Sequence, residues 1–429
     1  MQVSQEELYS IFLKNLVIST DSRQIVPGSI FFALKGDNFD GNQYAQRAID
    51  SGAACAVIDD PAFENNKTLL VENVLISLQQ LALFHRNKFN IPVVAITGSN
   101  GKTTTKELVN TVLCQRYNVT ATIGNLNNHI GVPLTLLRIN DQTEIAVIEM
   151  GANHEYEIDG LCRIAEPTHG LITNIGKAHL GGFGGYEGVI RAKSELYNWL
   201  RENKMKAFVN ADNPLLMGLS GGIERILYGT AQGFFVAGKI IENTSNLELD
   251  WVTAYEIHEI KTNLVGDYNF ENVMAAICLG VYFEVESNNI LSAISNYVPS
   301  NSRSQAVKTA RNSIVLDAYN ANPTSMQLAI KNFRQAKSMH KMVILGDMLE
   351  LGDESLSEHL GISRILEESD FEKVVLVGPD FMQVAGSKFT CFANSEMAYQ
   401  WLAEQHITGF SILVKGSRGI RMEKVLDAL

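Results

Sequence analysis

The chain has 429 residues, 46% of them hydrophobic and 19% charged, with a formal net charge of −12. That length asks for about two to four globular domains, and the acidity argues against a nucleic-acid partner. No apolar run approaches the ~18 residues that a membrane span needs, so no membrane association is expected. Residues 1–10 are polar without a signal-peptide core, which points to a cytoplasmic protein. Five cysteines at 55, 114, 162, 278 and 391 form no CxxC pair and read as buried thiols rather than metal ligands or disulfides.

Residues 1–90 read as a small α/β domain: strand 30–34, helix 42–51, strand 55–58 and helix 76–88. Ser22 and Arg23 precede a Pro27-Gly28 turn. Arg23 suits an anionic or carbonyl-bearing ligand, although a surface salt bridge is the simpler reading of these residues alone.

The chain is organised around residues 92–105. Apolar 93–96 predicts a buried strand, and a polar loop with Gly98, Ser99, Asn100 and Gly101 follows. Lys102, Thr103 and Thr104 then open a helix. Strand, glycine loop, Lys-Thr and helix form a phosphate-binding layout, in which backbone N–H groups and the helix N-terminus receive a polyphosphate. Lys102 supplies a cation for the terminal phosphates and the Thr103 hydroxyl a ligand for Mg²⁺. The general motif lacks its first glycine here; what is present is Thr-Gly-x-x-Gly-Lys-Thr.

Residues 91–297 form the largest unit, with strands at 118–122, 145–150, 170–174, 206–210 and 225–228 alternating with helices. That alternation predicts a mostly parallel sheet. Asn125, Asn127 and Asn128 lie in an amide-dense loop that either orients a polar substrate or fills a turn. Glu149 ends an apolar strand after the phosphate loop, the place of a Mg²⁺-holding carboxylate. His179 follows the 170–174 strand as a metal ligand, a general base or a cap. Lys193 lies on a helix starting near 189 and reads as a surface lysine. A strand at 264–265 leads through Gly266 into a helix where Asn269 and Asn272, three apart, share a face; they read a purine or cap the helix.

Residues 298–429 read as a third α/β unit, with residues 302–304 as a hinge candidate. Its strands end at Asp317, Gly346, Gly378 and Lys415, and polar residues at successive strand ends mark the binding edge of a Rossmann-like sheet. No GxGxxG occurs in it.

Thr97-Gly-Ser-Asn-Gly-Lys-Thr-Thr-Thr-Lys106, Tyr319-Asn-Ala-Asn-Pro-Thr-Ser325 and Gly346-Asp-Met-Leu-Glu-Leu-Gly352 together make the chain resemble the Mur ligases, the ATP-dependent amide-forming enzymes of peptidoglycan precursor synthesis. The resemblance runs over nearly the whole chain. It implies an α/β fold of three domains: UDP-substrate binding (1–90), ATP binding (91–297) and a Rossmann-like amine-substrate domain (298–429). It implies ATP and Mg²⁺ as cofactors, UDP-N-acetylmuramoyl-tripeptide and D-alanyl-D-alanine as substrates, and a monomer.

Residue by residue, the resemblance places Ser22 and Arg23 at the uridine. It places Gly98 to Thr104 at the ATP phosphates, and Thr103, Glu149 and His179 at metal. Lys193, in its Ala-Lys-x-Glu setting, matches a lysine that is carbamylated. Asn269 and Asn272 match the adenine end, Arg303 the phosphates and Asp317 the ribose. Asn125, Asn127 and Asn128 would face the muramoyl-peptide, and Tyr319, Asn320 and Asn322 the cleft. Lys102, Lys193, His179 and Arg303 would carry the catalysis. Tyr268 and Gly181 depart from the family pattern. Closure about hinges near 90 and 300 is expected. Another Mur-type or folylpolyglutamate-synthase-like ligase and a non-catalytic nucleotide-binding homologue stand as alternatives.

Overall fold

A computed structural model describes residues 2–242, 246–253, 256–300 and 302–429. A first sheet has four parallel strands, in the order Ile18–Ser19, Ile30–Phe32, Cys55–Ile58 and Thr68–Leu70. Its core gathers Phe31, Ala33, Ala45, Ala48, Ala56 and Ile58.

The largest sheet has nine strands. From edge to edge they are Ile257–Lys261, Glu248–Val252, Val236–Glu242, Glu224–Gly229, Lys206–Asn210, His169–Ile172, Val93–Thr97, Ile145–Glu149 and Val119–Ala121. Val93 to Ile96 are all fully buried. Such an uninterrupted apolar run is what a strand covered on both faces requires.

The third sheet has six strands, in the order Gln305–Lys308, Ser313–Asp317, Ser411–Lys415, Lys341–Gly346, Lys373–Val377 and Thr390–Phe392. Only its first pair is antiparallel. Asp317, Gly346 and Lys415 lie at the C-terminal ends of adjacent strands, as the Rossmann-like reading expects. The helix Pro323–Gln335 starts with a capping box between Asn322 and Ser325 and with proline in its first turn.

By contact density the chain divides into two compact units. One is 1–95, 117–151 and 157–169; the other is 96–116, 152–156 and 170–429.

Several expectations need correction. Residues 264–265 form no strand; Asn263 and Leu264 instead run as irregular chain into the helix Asn269–Tyr282. The helix expected over 42–51 is a 3-10 turn, Gly41–Tyr44, followed by Ala45–Asp50. The large sheet is mostly parallel as expected, but beyond Val236–Glu242, itself parallel to Glu224–Gly229, it continues in two antiparallel strands that were not expected, Glu248–Val252 and Ile257–Lys261. Among the cysteines, Cys114 is exposed and Cys391 half-buried, against the expectation of buried thiols.

Candidate nucleotide and ligase site

The loop after strand Val93–Thr97 is shaped by steric need. Gly98 has φ 143°, and a Cβ there would lie 2.0 Å from Thr173 Oγ1. Gly101 has φ 79°, and a Cβ there would lie 2.4 Å from Asn272 Oδ1. Only glycine fits both positions.

Polar bonds then fix the loop from below. Ser99 Oγ donates to the Gly176 carbonyl at 3.0 Å and accepts from the Gly176 N–H. The Asn100 N–H donates to Asn174 Oδ1, and Thr173 Oγ1 donates to the Asn100 carbonyl at 2.6 Å. Lys102 Nζ folds back onto the carbonyls of Gly98 at 2.7 Å and Ser99 at 3.2 Å. Lys102 also opens the helix Lys102–Leu113, so the loop's N–H groups and the helix end converge as a phosphate site does. Thr103 is buried at the start of this helix and Thr104 is half-buried.

Asn269 and Asn272 are buried behind the loop rather than open beside it. Asn272 Oδ1 accepts from Thr105 Oγ1 at 3.0 Å, and its Nδ2 donates to Asn269 Oδ1 at 2.9 Å. Asn269 Nδ2 donates to the Val265 carbonyl. Each amide nitrogen carries a second proton for a further acceptor. Their visible work is to brace Gly101 and Thr105.

Lys193 corrects the sequence reading outright. It is 2% exposed on the helix Tyr186–Glu202, not a surface lysine. Its Nζ lies 3.4 Å from the Ala152 carbonyl and 5.3 Å from the centre of the Phe183 ring. His179 approaches the same ring, 6.5 Å between centres. His179 has φ 52° and its Nδ1 meets the Glu350 carboxylate. The imidazole beside Glu350 holds that carboxyl below its usual range.

Arg303 lies flat over Tyr319, 3.7 Å from guanidinium carbon to ring centre, and its buried Nε has no hydrogen-bond partner among the described residues. Asp317 pairs with Lys415 Nζ at 2.5 Å. Lys415 is 1% exposed and also donates to the Asn320 carbonyl. Asn320 is otherwise exposed, with its side-chain oxygen on the Ala321 N–H. Asn322 caps its helix and donates to Asn100 Oδ1 at 2.7 Å, so this residue from the third sheet's first helix reaches the phosphate loop.

The first unit carries the rest. Glu149 is fully buried and accepts from Asn127 Nδ2 at 2.8 Å. Asn128 Oδ1 accepts from the N–H groups of Ile130 and Gly131, which starts the helix Gly131–Leu136. Asn125 is exposed. Arg23 makes a tight local pair with Asp21 at 2.7 Å, whose carboxyl this hydrogen-bonded guanidinium pulls down to about 2. Ser22 lies half-buried in the same turn.

Comparison with known proteins now decides the family. Three models match in chain order: the Mur ligase family catalytic domain over residues 17–95, the Mur ligase middle domain over 96–280, and the Mur ligase glutamate ligase domain over 302–418. The chain belongs to the Mur ligase family. The UDP-N-acetylmuramoyl-tripeptide–D-alanyl-D-alanine ligase of Bacillus subtilis is 34% identical over 96% of this chain and 92% of its own. The Escherichia coli ligase of the same name is also 34% identical, over 96% and 93%. Among solved structures, MurF from Acinetobacter baumannii superposes with a TM-score of 0.87 at 31% identity, covering 96% of this chain and 92% of its own. MurF from Thermotoga maritima, in complex with ADP, gives 0.86 at 26% identity, covering 97% of each. The mixed α/β architecture is that of the three-domain Mur ligases.

Sequence reasoning missed the burial of Lys193 and the contacts that Phe183, Glu350 and Lys415 make in this Mur ligase. Lys193 is four residues after Val189 and three and four before Leu196 and Tyr197, all buried, so helical spacing already put it on the apolar face. Phe183, Glu350 and Lys415 carried no comparable signal, because their partners are distant in sequence. A cluster of buried Asp347 and His359 with half-buried Asp380 has the composition of a metal site. Both its imidazole nitrogens are engaged, however: Nε2 accepts from the Met348 N–H at 3.0 Å and Nδ1 donates to the Ser355 carbonyl at 2.7 Å. A neutral histidine so placed is structural.

Proposed function

We propose that this Mur ligase joins D-alanyl-D-alanine to UDP-N-acetylmuramoyl-tripeptide with cleavage of ATP to ADP and phosphate, in peptidoglycan precursor synthesis. The observation that carries the reading is the match of ligases of that name over more than nine-tenths of both chains. The rigid glycine loop, the buried Lys193 and the stacked Arg303 support it as parts of a phosphoryl-transfer site.

The tripeptide's terminal carboxylate attacks the γ-phosphorus and ADP leaves, which makes an acyl phosphate. The amine of D-alanyl-D-alanine then attacks the acyl carbon, the tetrahedral intermediate collapses, and phosphate departs with the peptide bond formed. Gly98, Ser99, Asn100, Gly101, Lys102, Thr103 and Thr104 hold the polyphosphate through backbone N–H groups and the lysine cation. Arg303, held over the Tyr319 ring, offers its donors to the transferred phosphoryl group. Asn269 and Asn272 take the adenine end with their second amide protons, and Asp317 takes the ribose. Ser22 and Arg23 meet the uridine part, Asn125, Asn127 and Asn128 the muramoyl-peptide, and Tyr319, Asn320 and Asn322 the incoming dipeptide.

As candidate ligands, the Thr103 hydroxyl and the Glu149 carboxylate are the oxygen donors a hard divalent cation prefers, and His179 would add an imidazole nitrogen. Mg²⁺ held by these residues would supply neutralisation of charge on the phosphoryl oxygens. Lys193 serves this chemistry as a carbamate, formed when its neutral amine bonds to CO₂ and loses a proton.

On this reading the domains are about 1–90 for the UDP-substrate, 91–297 for ATP and 298–429 for the amine, supported by family models that match 17–95, 96–280 and 302–418. The protein works in the cytoplasm as a monomer; among the described residues no helix is long and apolar enough to cross a membrane.

Phosphate release tests the reading, with UDP-muramoyl-tripeptides carrying diaminopimelate or lysine, with and without D-alanyl-D-alanine. Release that needs the dipeptide is expected. Equal release with single amino acids would transfer the chain to a sister ligase activity.

A further inference from the structure

Residues 347–350 form a loop whose N–H groups are tied down until its last residue. Asp347 accepts from the N–H groups of Asp380 and Phe381, both at 2.9 Å. Met348 N–H donates to His359 and Leu349 N–H donates to Ser417 Oγ. Glu350 then takes φ 66°, a left-handed conformation that costs a non-glycine residue ~1 kcal/mol or more and persists where the surroundings impose it.

The strain aims its carboxylate at His179, itself at φ 52°. Backbones meet beside the pair: a Cβ at Gly352 would lie 3.1 Å from Gly181 Cα, and one at Gly181 would lie 3.3 Å from Gly352 Cα. The glycine that departs from the family pattern is therefore where this contact needs it. Lys177 adds a second pair, Nζ to Glu358 at 2.5 Å, and its N–H donates to Thr324 Oγ1. Glu350 is largely exposed, and an exposed ion pair adds little stability. Two strained residues for so small a gain suggest a job other than holding the fold.

We infer that Glu350 is the positioning residue of His179: its carboxylate fixes the imidazole through Nδ1, leaving Nε2 for the metal, so the ligand is in place only while the 347–352 loop is docked on residues 176–182. This rests on the reading of His179 as a metal ligand. A carboxylate behind a metal-binding histidine sets its ring orientation and raises its basicity.

The test is Mn²⁺ binding, followed by the free-ion spin-resonance signal in the presence of ADP. Glu350→Ala is expected to weaken Mn²⁺ binding by about 10- to 100-fold. The same substitution in a His179→Gln background is expected to change nothing more. Glu358→Gln, which breaks the neighbouring ion pair without touching His179, is expected to leave Mn²⁺ affinity as it was. Unchanged affinity in Glu350→Ala overturns the inference, as does an equal loss in the His179→Gln background or an equal loss in Glu358→Gln. Unchanged Mn²⁺ binding in His179→Gln alone overturns the metal-ligand reading beneath it, and the two failures are thereby told apart.

Discussion

Asp317→Asn separates a ligand contact from a structural one. In the proposed function Asp317 meets the nucleotide ribose, yet its Oδ2 lies 2.5 Å from Lys415 Nζ, and Lys415 is 1% exposed. Amide for carboxylate preserves shape and leaves a buried ammonium with the Asn320 carbonyl and a neutral amide. Removing one partner of a buried pair costs ~3–5 kcal/mol, and the partial exposure of Asp317 puts this case near ~3. At 1.4 kcal/mol per factor of ten, that is roughly a hundredfold faster exchange of the most protected amides. Hydrogen exchange should be measured on strands Ser313–Asp317 and Ser411–Lys415, whose register joins Asp317 to Lys415. Exchange unchanged in these strands, with ADP affinity reduced, would refute the reasoning and make Asp317 a ligand contact alone. Lys415→Met should cost less, because it removes the buried charge and leaves the more accessible carboxylate to water.

Other substitutions probe the loop and its surroundings. Gly98→Ala puts a methyl 2.0 Å from Thr173 Oγ1 at φ 143°, so calorimetry should find ADP binding at least ~10-fold weaker; unaltered affinity would disprove the steric account. Arg303→Ala should lower kcat by ~10²-fold or more, and Arg303→Lys should recover little, since an ammonium cannot lie flat on Tyr319. Full turnover by Arg303→Ala would remove Arg303 from the phosphoryl-transfer step. With ¹³C-labelled bicarbonate, the protein should show a carbamate resonance that Lys193→Arg lacks; no bicarbonate-dependent signal in the unaltered protein would end the carbamate assignment.

What the sequence made legible was what local chemistry encodes. Continuous apolar runs announced the central strands, and glycine spacing announced the phosphate loop, because Gly98 and Gly101 are required by backbone geometry that shows in composition. The antiparallel strands from 236 to 261 escaped notice since one face is wet. Their alternation of Glu, Lys and Ile resembles a polar loop as much as a strand. Lys193 was misread by weighing its charge above its helical phase. The place of Asn272 under Gly101 depends on a contact across 171 positions, which no local pattern contains. The Lys415–Asp317 and Glu350–His179 pairs were hidden for the same reason.

Those antiparallel strands have a consequence for crowding. A sheet of nine strands ends in a row of open backbone donors and acceptors, an invitation to another copy. Here the outermost strand, Ile257–Lys261, carries Glu259 and Lys261 exposed, and Lys261 is paired with Glu248 on the next strand. A second chain adding alongside would have to strip water from these charges, at several kcal/mol per ion. The charges on the outermost strand thus disfavour edge-to-edge addition of another copy.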